Sequence, residues 1–159
     1  KYDNLVVVRT FSKSRSMAGL RIGYAISNSE LIKALNDVKY SYNSYTMNRP
    51  SLVLGVESIR DEAYFREKVG QIIATRERFV KEIAELGFTC LPSSANFVFA
   101  THESIPAKEI FAAAKENNIY VRYFDKPRID NYLRISIGTD AEMDAFVAFL
   151  KGYIETKQN

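Results

Sequence analysis

One cysteine and one histidine are all that this 159-residue chain offers of the two commonest soft metal ligands. Cys90 has no partner for an internal disulfide, which points to a reducing compartment, with the cytoplasm as the default. Neither Cys90 nor His102 has companions at metal-ligand spacing, so no metal site is expected. A serine triad would need His102 as its base. The stretch "ATHES" reads as a strand end entering an exposed turn, and no partner serine or orienting acid is marked. No apolar run approaches the roughly 20 residues that cross a bilayer, and no signal peptide opens the chain. A Walker loop and a G-x-G-x-x-G are both missing; "AGLRIG" matches neither. Charge of one sign is also scarce in excess. The net charge is +3, and basic residues are interleaved with acids, so a nucleic-acid partner is not expected. The ten tyrosines and ten phenylalanines fall mostly on helix stripes and strand faces, which is a core pattern and not a stacking platform.

What remains is an ordinary globular composition, 47% hydrophobic and 26% charged, enough for one domain or a small domain plus part of another. The opening "KYDNLVVV" lacks an initiator methionine and enters a strand-like run almost at once. It reads as the later part of a longer protein.

Leu5–Arg9 and Leu20–Ile26 have the apolar, β-branched character of buried strands. "SNSELIKALNDVK" starts with capping residues and carries Leu31, Ile32, Leu35 and Val38 at helical spacing. The polar, aromatic connector "YSYNSYTMNRP" marks the expected boundary near Tyr40–Pro50, giving domains 1–45 and 46–159. From Ser51 to about Leu86 the pattern is helical, with Val69, Ile72, Ile73, Phe79, Val80, Ile83 and Leu86 as a stripe and Gly87 as C-cap. Glu77/Lys81 and Arg78/Glu82 are candidate i,i+4 pairs. "FTCLP", "ANFVFAT", "IYVRYF" and "YLRISIG" read as strands and Ala107–Glu116 as a helix. The last helix opens with Thr139 and Glu142 as a capping box, and its core face is Met143, Phe146, Val147, Leu150, Tyr153 and Ile154. The second part is expected to be α+β, with helices on one sheet face.

The segment "VRTFSKSRSMAGLRIGYA" concentrates Arg9, Lys13, Arg15 and Arg21 with no acid among them. Lysine is a poor nucleophile at its ordinary pKa near 10.4. Burial or neighbouring cations disfavour its charged form and free the amine to attack a carbonyl. Ser12 and Ser14 offer hydroxyls, and Arg21 a planar fork suited to phosphate oxygens. A solvated basic loop has the same composition, so spacing alone leaves both readings open.

The motif "TFSKSRSMAGLRIGYA" closely resembles the cofactor-lysine motif of fold-type I pyridoxal-phosphate aminotransferases. "LPSSANFVFA", "IYVRYFDKPRIDNYLRISIGT" and "DAEMDAFVAFLKGYI" are similar to the histidinol-phosphate aminotransferase branch. The resemblance implies an α/β chain holding the end of the large cofactor-binding domain, followed by a small α+β domain. It implies that Lys13 bonds covalently to pyridoxal 5'-phosphate and then moves a proton at the substrate Cα. Ser12 and Arg21, with Thr10 beside them, would hold the cofactor phosphate. Arg134 matches the arginine that grips a substrate α-carboxylate, and Arg122 a second arginine suited to a phosphorylated substrate. Without the resemblance, each arginine is a strand residue that could equally be paired with a carboxylate. Asn96, Tyr45 and Asn48 are near-site candidates with structural roles as the safer expectation.

The resemblance also implies a cytoplasmic homodimer in which a partner subunit completes each site. The substrates would be histidinol phosphate and 2-oxoglutarate. An aromatic amino-acid aminotransferase, a threonine-phosphate decarboxylase of the same fold, and a non-catalytic module are the alternatives. Family members carry the residues that stack on the cofactor ring and pair with its nitrogen further toward the N-terminus. The 159 residues alone are therefore expected to show little transaminase activity and, with open strand edges, to self-associate. Turnover near that of a complete relative would contradict the first expectation, and a clean monomer mass in light scattering the second.

Overall fold

The computed structural model describes residues 2–158, which divide into two compact units, Lys1–Val69 and Gly70–Asn159. In the first, strand β1 (Val7–Thr10) pairs antiparallel with β2 (Gly23–Ile26), with Val7 opposite Ile26 and Thr10 opposite Gly23. The chain between them turns through α1 (Phe11–Ser14) and a 3-10 turn (Ala18–Leu20), so the second strand begins at Gly23 and not at Leu20. The buried character expected of both strands is not found. All of β1 is exposed, as is β2 apart from half-buried Ala25. The physical reason is that, among the described residues, each of these strands has only the other as a neighbour. Apolar side chains suited to a broad sheet are left open.

Helix α2 (Ser29–Tyr42) starts at Asn28, whose side chain accepts from Leu31 N. Helix α3 (Arg49–Arg60) starts at Asn48 in the same way, accepting from Ser51 N at 2.8 Å, with Pro50 in its first turn. Asn48 is thus a cap. The helical pattern expected from Ser51 to Leu86 divides into two helices at Asp61, whose ψ of 62° leaves the helix. Its carboxylate accepts from Tyr64 N at 3.3 Å at the start of α4 (Glu62–Ala84).

The division into units falls within α4, after Val69, whereas the connector pointed to residue 45. Helix α3 explains the difference. Its Ser51 is 1% exposed and donates from Oγ to Leu20 O at 2.9 Å. At Gly55 an added Cβ would lie 2.9 Å from Ile22 Cδ1. Small residues at i and i+4 let the helix lie directly on the β1–β2 loop, and so α3 stays with the first unit.

The second unit is a four-stranded antiparallel sheet in the order β3 (Phe88–Cys90), β4 (Phe97–His102), β6 (Leu133–Ser136), β5 (Arg122–Tyr123). Val98, Ala100, Leu133 and Ile135 point to one face, where Phe79 and Ile83 of α4, Ile110 of α5 (Ala107–Glu116), and Phe146 and Leu150 of α6 (Asp140–Gln158) cover them. The strict alternation along β4 follows from this one-sided burial. The capping box closes as expected. Thr139 N donates to Glu142 Oε2 at 2.7 Å, and Glu142 N to Thr139 Oγ1 at 3.3 Å. Gly87 has φ +83°, a left-handed conformation that glycine adopts without strain. Arg78 reaches Glu82 at 2.9 Å, Asp140 at 3.0 Å and Asp144 at 2.6 Å, tying α4 to the start of α6. No ion pair joins Glu77 to Lys81 among the described residues.

His102 is buried, 5% exposed, and not in an open turn. Pairing of Phe88 with His102 in the β3–β4 register draws it in. Its Nδ1 accepts from Ser104 N at 3.1 Å and Ile105 N at 3.0 Å, which leaves Nε2 to donate to Leu86 O at 2.9 Å. It is a fully used structural histidine. His102→Ala, which strands two amides and a carbonyl, is expected to cost about 2–4 kcal/mol. Urea unfolding should show a lowered midpoint with an unchanged slope; an unmoved midpoint would remove the network from the stability account.

Candidate functional site

The lysine lies on the loop that closes the β1–β2 hairpin. Phe11 N donates to Ile22 O at 3.0 Å, one step beyond the Thr10–Gly23 pair, so Ser12, Lys13 and Arg21 belong to one closed loop and Thr10 is the last residue of the strand that enters it. Thr10 is the N-cap of α1 without a side-chain cap bond. Phe11 is buried beneath the loop, edge-on to Tyr24 at 6.1 Å. Ser12 is half-buried and Lys13 exposed. Two non-glycine residues of the loop, Ser16 (φ 55°) and Arg21 (φ 56°), are left-handed. Such conformations cost free energy and persist where the surroundings fix them, often at functional sites.

The expectation of a shielded lysine is not met within this chain, because the exposed strands beneath it supply no cover. The expectation of one four-cation cluster also needs correction. Arg15 is turned into the fold, donating to Ser58 O at 2.7 Å and to Glu62 at 3.2 Å. Its Cζ lies 3.8 Å from the Phe65 ring centroid. Hydrogen bonds from Arg66 and then Arg15 hold the Glu62 carboxyl below its ordinary range. Arg15 is therefore neutralised, and the anion-seeking groups left in the loop are Lys13 and Arg21. Lys13 makes no side-chain hydrogen bond or ion pair among the described residues. Arg21 donates only to Ala18 O, at 3.0 Å.

In the second unit, β5 and β6 set Arg122 directly opposite Arg134. Phe99 lies opposite Arg134 on its other side. Both guanidinium groups share the Phe124 ring, with Cζ 5.4 Å from its centroid for Arg122 and 6.0 Å for Arg134. Arg134 also lies 5.5 Å from the Phe97 centroid. Both arginines are exposed, and neither has a carboxylate partner among the described residues. Like charges directly opposite on a sheet destabilise it, and a bound anion relieves that repulsion with charge-assisted bonds. A cleft of about 440 Å³ adjoins Arg134, walled by Leu91, Phe97, Phe99, Phe124 and Ile129. Tyr132 stacks on Phe99 at 4.7 Å.

This aromatic wall was not singled out from the sequence, although the alternation in "ANFVFAT" carries it: the phenylalanines occupy the face opposite Val98 and Ala100. Asn96 is exposed and takes part through its backbone carbonyl, which accepts from Ile137 N at 2.9 Å. Tyr45 is 95% exposed. Burial pushes the Cys90 thiol up to about 11, which keeps it an inert thiol near neutral pH. No His, Cys, Asp and Glu group suited to a metal ion occurs among the described residues, and none of the described helices is long and apolar enough to cross a membrane.

The arginine pair gives a direct test. In buffer free of multivalent anions, Arg122→Gln is expected to be as stable as the parent or more so, by up to about 1 kcal/mol. Inorganic phosphate should raise the parent's melting temperature and raise that of the variant much less. A destabilised variant with the full phosphate effect would contradict the pairing argument.

The profile of the family described as aminotransferase class I and II matches residues 1–150. The chain is 50% identical over 155 residues to the histidinol-phosphate aminotransferase of Brachyspira hyodysenteriae, covering 98% of this chain and 44% of that protein. Its structure is similar to that of the histidinol-phosphate aminotransferase from Clostridium acetobutylicum, with a TM-score of 0.87, 26% identity, and coverage of 98% and 47%. The Sinorhizobium meliloti histidinol-phosphate aminotransferase in complex with pyridoxal-5'-phosphate is similar with a TM-score of 0.83, 29% identity, and coverage of 97% and 42%. The chain spans less than half the length of each of these proteins.

Proposed function

The chain belongs to the aminotransferase class I and II family, and on that premise we propose that its protein exchanges an amino group between histidinol phosphate and 2-oxoglutarate with pyridoxal phosphate. The observation that carries the substrate reading is the Arg122–Arg134 pair, two opposed cations without an acid, set beside an aromatic cleft.

The cofactor suits the donor set of the first loop. An amine (Lys13), a hydroxyl (Ser12) and a guanidinium (Arg21) lie on one loop with the Thr10 hydroxyl at its entry, and residues 5–26 contain no acid. That set fits an aldehyde carrying a phosphate dianion. Ser12 and Arg21, with Thr10 beside them, would hold the phosphate, and Lys13 would be the covalent attachment. Bound there, pyridoxal phosphate supplies the electron sink for the substrate carbanion. With the cofactor bound, the Lys13 amine would take the proton from the substrate Cα and pass it to the cofactor C4′, and would run the same transfer in reverse with the 2-oxo acid. Arg134 holds the α-carboxylate of 2-oxoglutarate, and of the glutamate formed from it, through a charge-assisted fork, and Arg122 beside it takes the phosphate of the phosphorylated donor, which has no carboxylate.

In this reading the first part of the chain closes the large cofactor-binding domain, and the sheet with its three helices is the small domain. The protein works as a cytoplasmic homodimer. Exposed Leu52, Val53, Val56 and Ile59 along α3 support association.

Calorimetric titration of the protein with histidinol phosphate, histidinol, phenylalanine and O-phosphothreonine tests the substrate reading. Histidinol phosphate is expected to bind at least about tenfold tighter than histidinol, one charge-assisted interaction's worth, and Arg122→Gln should erase the difference. Equal affinities for histidinol and its phosphate would overturn it. Preference for phenylalanine would favour an aromatic donor, and preference for O-phosphothreonine a threonine-phosphate enzyme.

A further inference from the structure

Lys13 sits on a helix of four residues, too short to hold its own orientation. That turn has no side-chain cap at Thr10 and is fastened at two points. At its start, Phe11 is buried against Tyr24 and beneath α3. At its end, Arg15 leaves the loop and enters the fold. Its side chain is only 15% exposed, although Ser14 before it and Ser16 after it are exposed.

The Arg15 guanidinium uses three kinds of contact at once. Nη1 donates to the carbonyl of Ser58 at 2.7 Å, in the last turn of α3, where helix carbonyls lack an intrahelical donor. Nη2 donates to Glu62 at 3.2 Å, the first residue of α4. The plane lies over Phe65, 3.8 Å from the ring centroid. One side chain thus locks the lysine turn to the α3–α4 corner. Ser16, next in the chain, is held in the left-handed region, a conformation that needs such external fixing. The Arg15 backbone N also donates to Phe11 O at 3.2 Å, so the clamp closes directly on the turn that carries the lysine.

We propose that Arg15 is a positioning residue for Lys13: by clamping the α1 turn to the α3–α4 corner it fixes where the amine can reach. This rests on the reading of Lys13 as the covalent attachment of pyridoxal phosphate. Arg15 touches neither cofactor nor substrate; it acts through the turn. Lysine cannot replace it, because a single ammonium on a flexible stem does not bridge a carbonyl and a carboxylate while lying flat on a ring.

The test compares the full chain with Arg15→Gln, Arg15→Lys and Glu62→Gln. Two readouts are followed: amide exchange across residues 11–17 by mass spectrometry, and covalent capture of pyridoxal phosphate at Lys13 by its visible absorption. Arg15→Gln is expected to speed exchange in that segment about tenfold and weaken capture about tenfold, with the melting transition intact. Arg15→Lys should rescue neither. Glu62→Gln, which keeps the Ser58 bond and the Phe65 contact, should move both readouts by a smaller factor, and it carries the test if Arg15→Gln fails to fold. Unchanged exchange, or faster exchange with unchanged capture, overturns the proposal alone. A parent chain that captures no cofactor at Lys13 overturns the functional reading and the positioning role with it.

Discussion

The close seat of α3 on the β1–β2 loop is the contact on which the first unit depends. Ser51 and Gly55 leave that face of the helix almost without side chains, so Ile22 and Phe11 can lie directly beneath it. The hydrogen bond from Phe11 N to Ile22 O then closes the loop at its neck. The loop that carries Lys13 is held from outside it. Ser51 Oγ takes the Leu20 carbonyl at one end, and Arg15 takes the Ser58 carbonyl at the other. Left-handed Ser16 lies between the fastenings and left-handed Arg21 directly follows Leu20, where strain is tolerated because the neighbouring residues are fixed.

The second unit works by a different constraint. A sheet covered by helices on one face has a second face free for chemistry, and antiparallel register decides which residues share it. Phe97, Phe99 and Arg134 occupy that face because Val98, Ala100, Leu133 and Ile135 are committed to the core. Arg122 joins them by pairing with Arg134. Arg78, by contrast, ends on the carboxylates of Glu82, Asp140 and Asp144. Arg122 and Arg134 end on aromatic rings and open space, which is the arrangement an incoming anion needs.

Much of the fold was legible because it is set by local chemistry. The capping box at Thr139 and Glu142, the left-handed glycine that follows α4, the bounds of α5 and the buried face of α6 depend on residues a few positions apart. The features that were not legible depend on distant partners. His102 is drawn inside by its register with Phe88 and the carbonyl of Leu86. Arg15 is removed from the cation cluster by Glu62, far along the chain. The strands β1 and β2 carry the residue pattern of a buried sheet yet are exposed, since a pattern records what a strand suits and not which neighbours are present. The same limit applies to Lys13. The motif around it supports the proposed chemistry, while shielding of its amine depends on cover that these residues do not provide.

The central claim is that one amine, Lys13, forms the covalent attachment while the other lysines remain bystanders. Borohydride reduction of the protein in the presence of pyridoxal phosphate, followed by peptide mapping, tests this most directly. The account predicts that the reduced pyridoxyl label concentrates on the peptide containing Lys13 and disappears in Lys13→Ala. Label spread over the exposed lysines and unaffected by that substitution would contradict it.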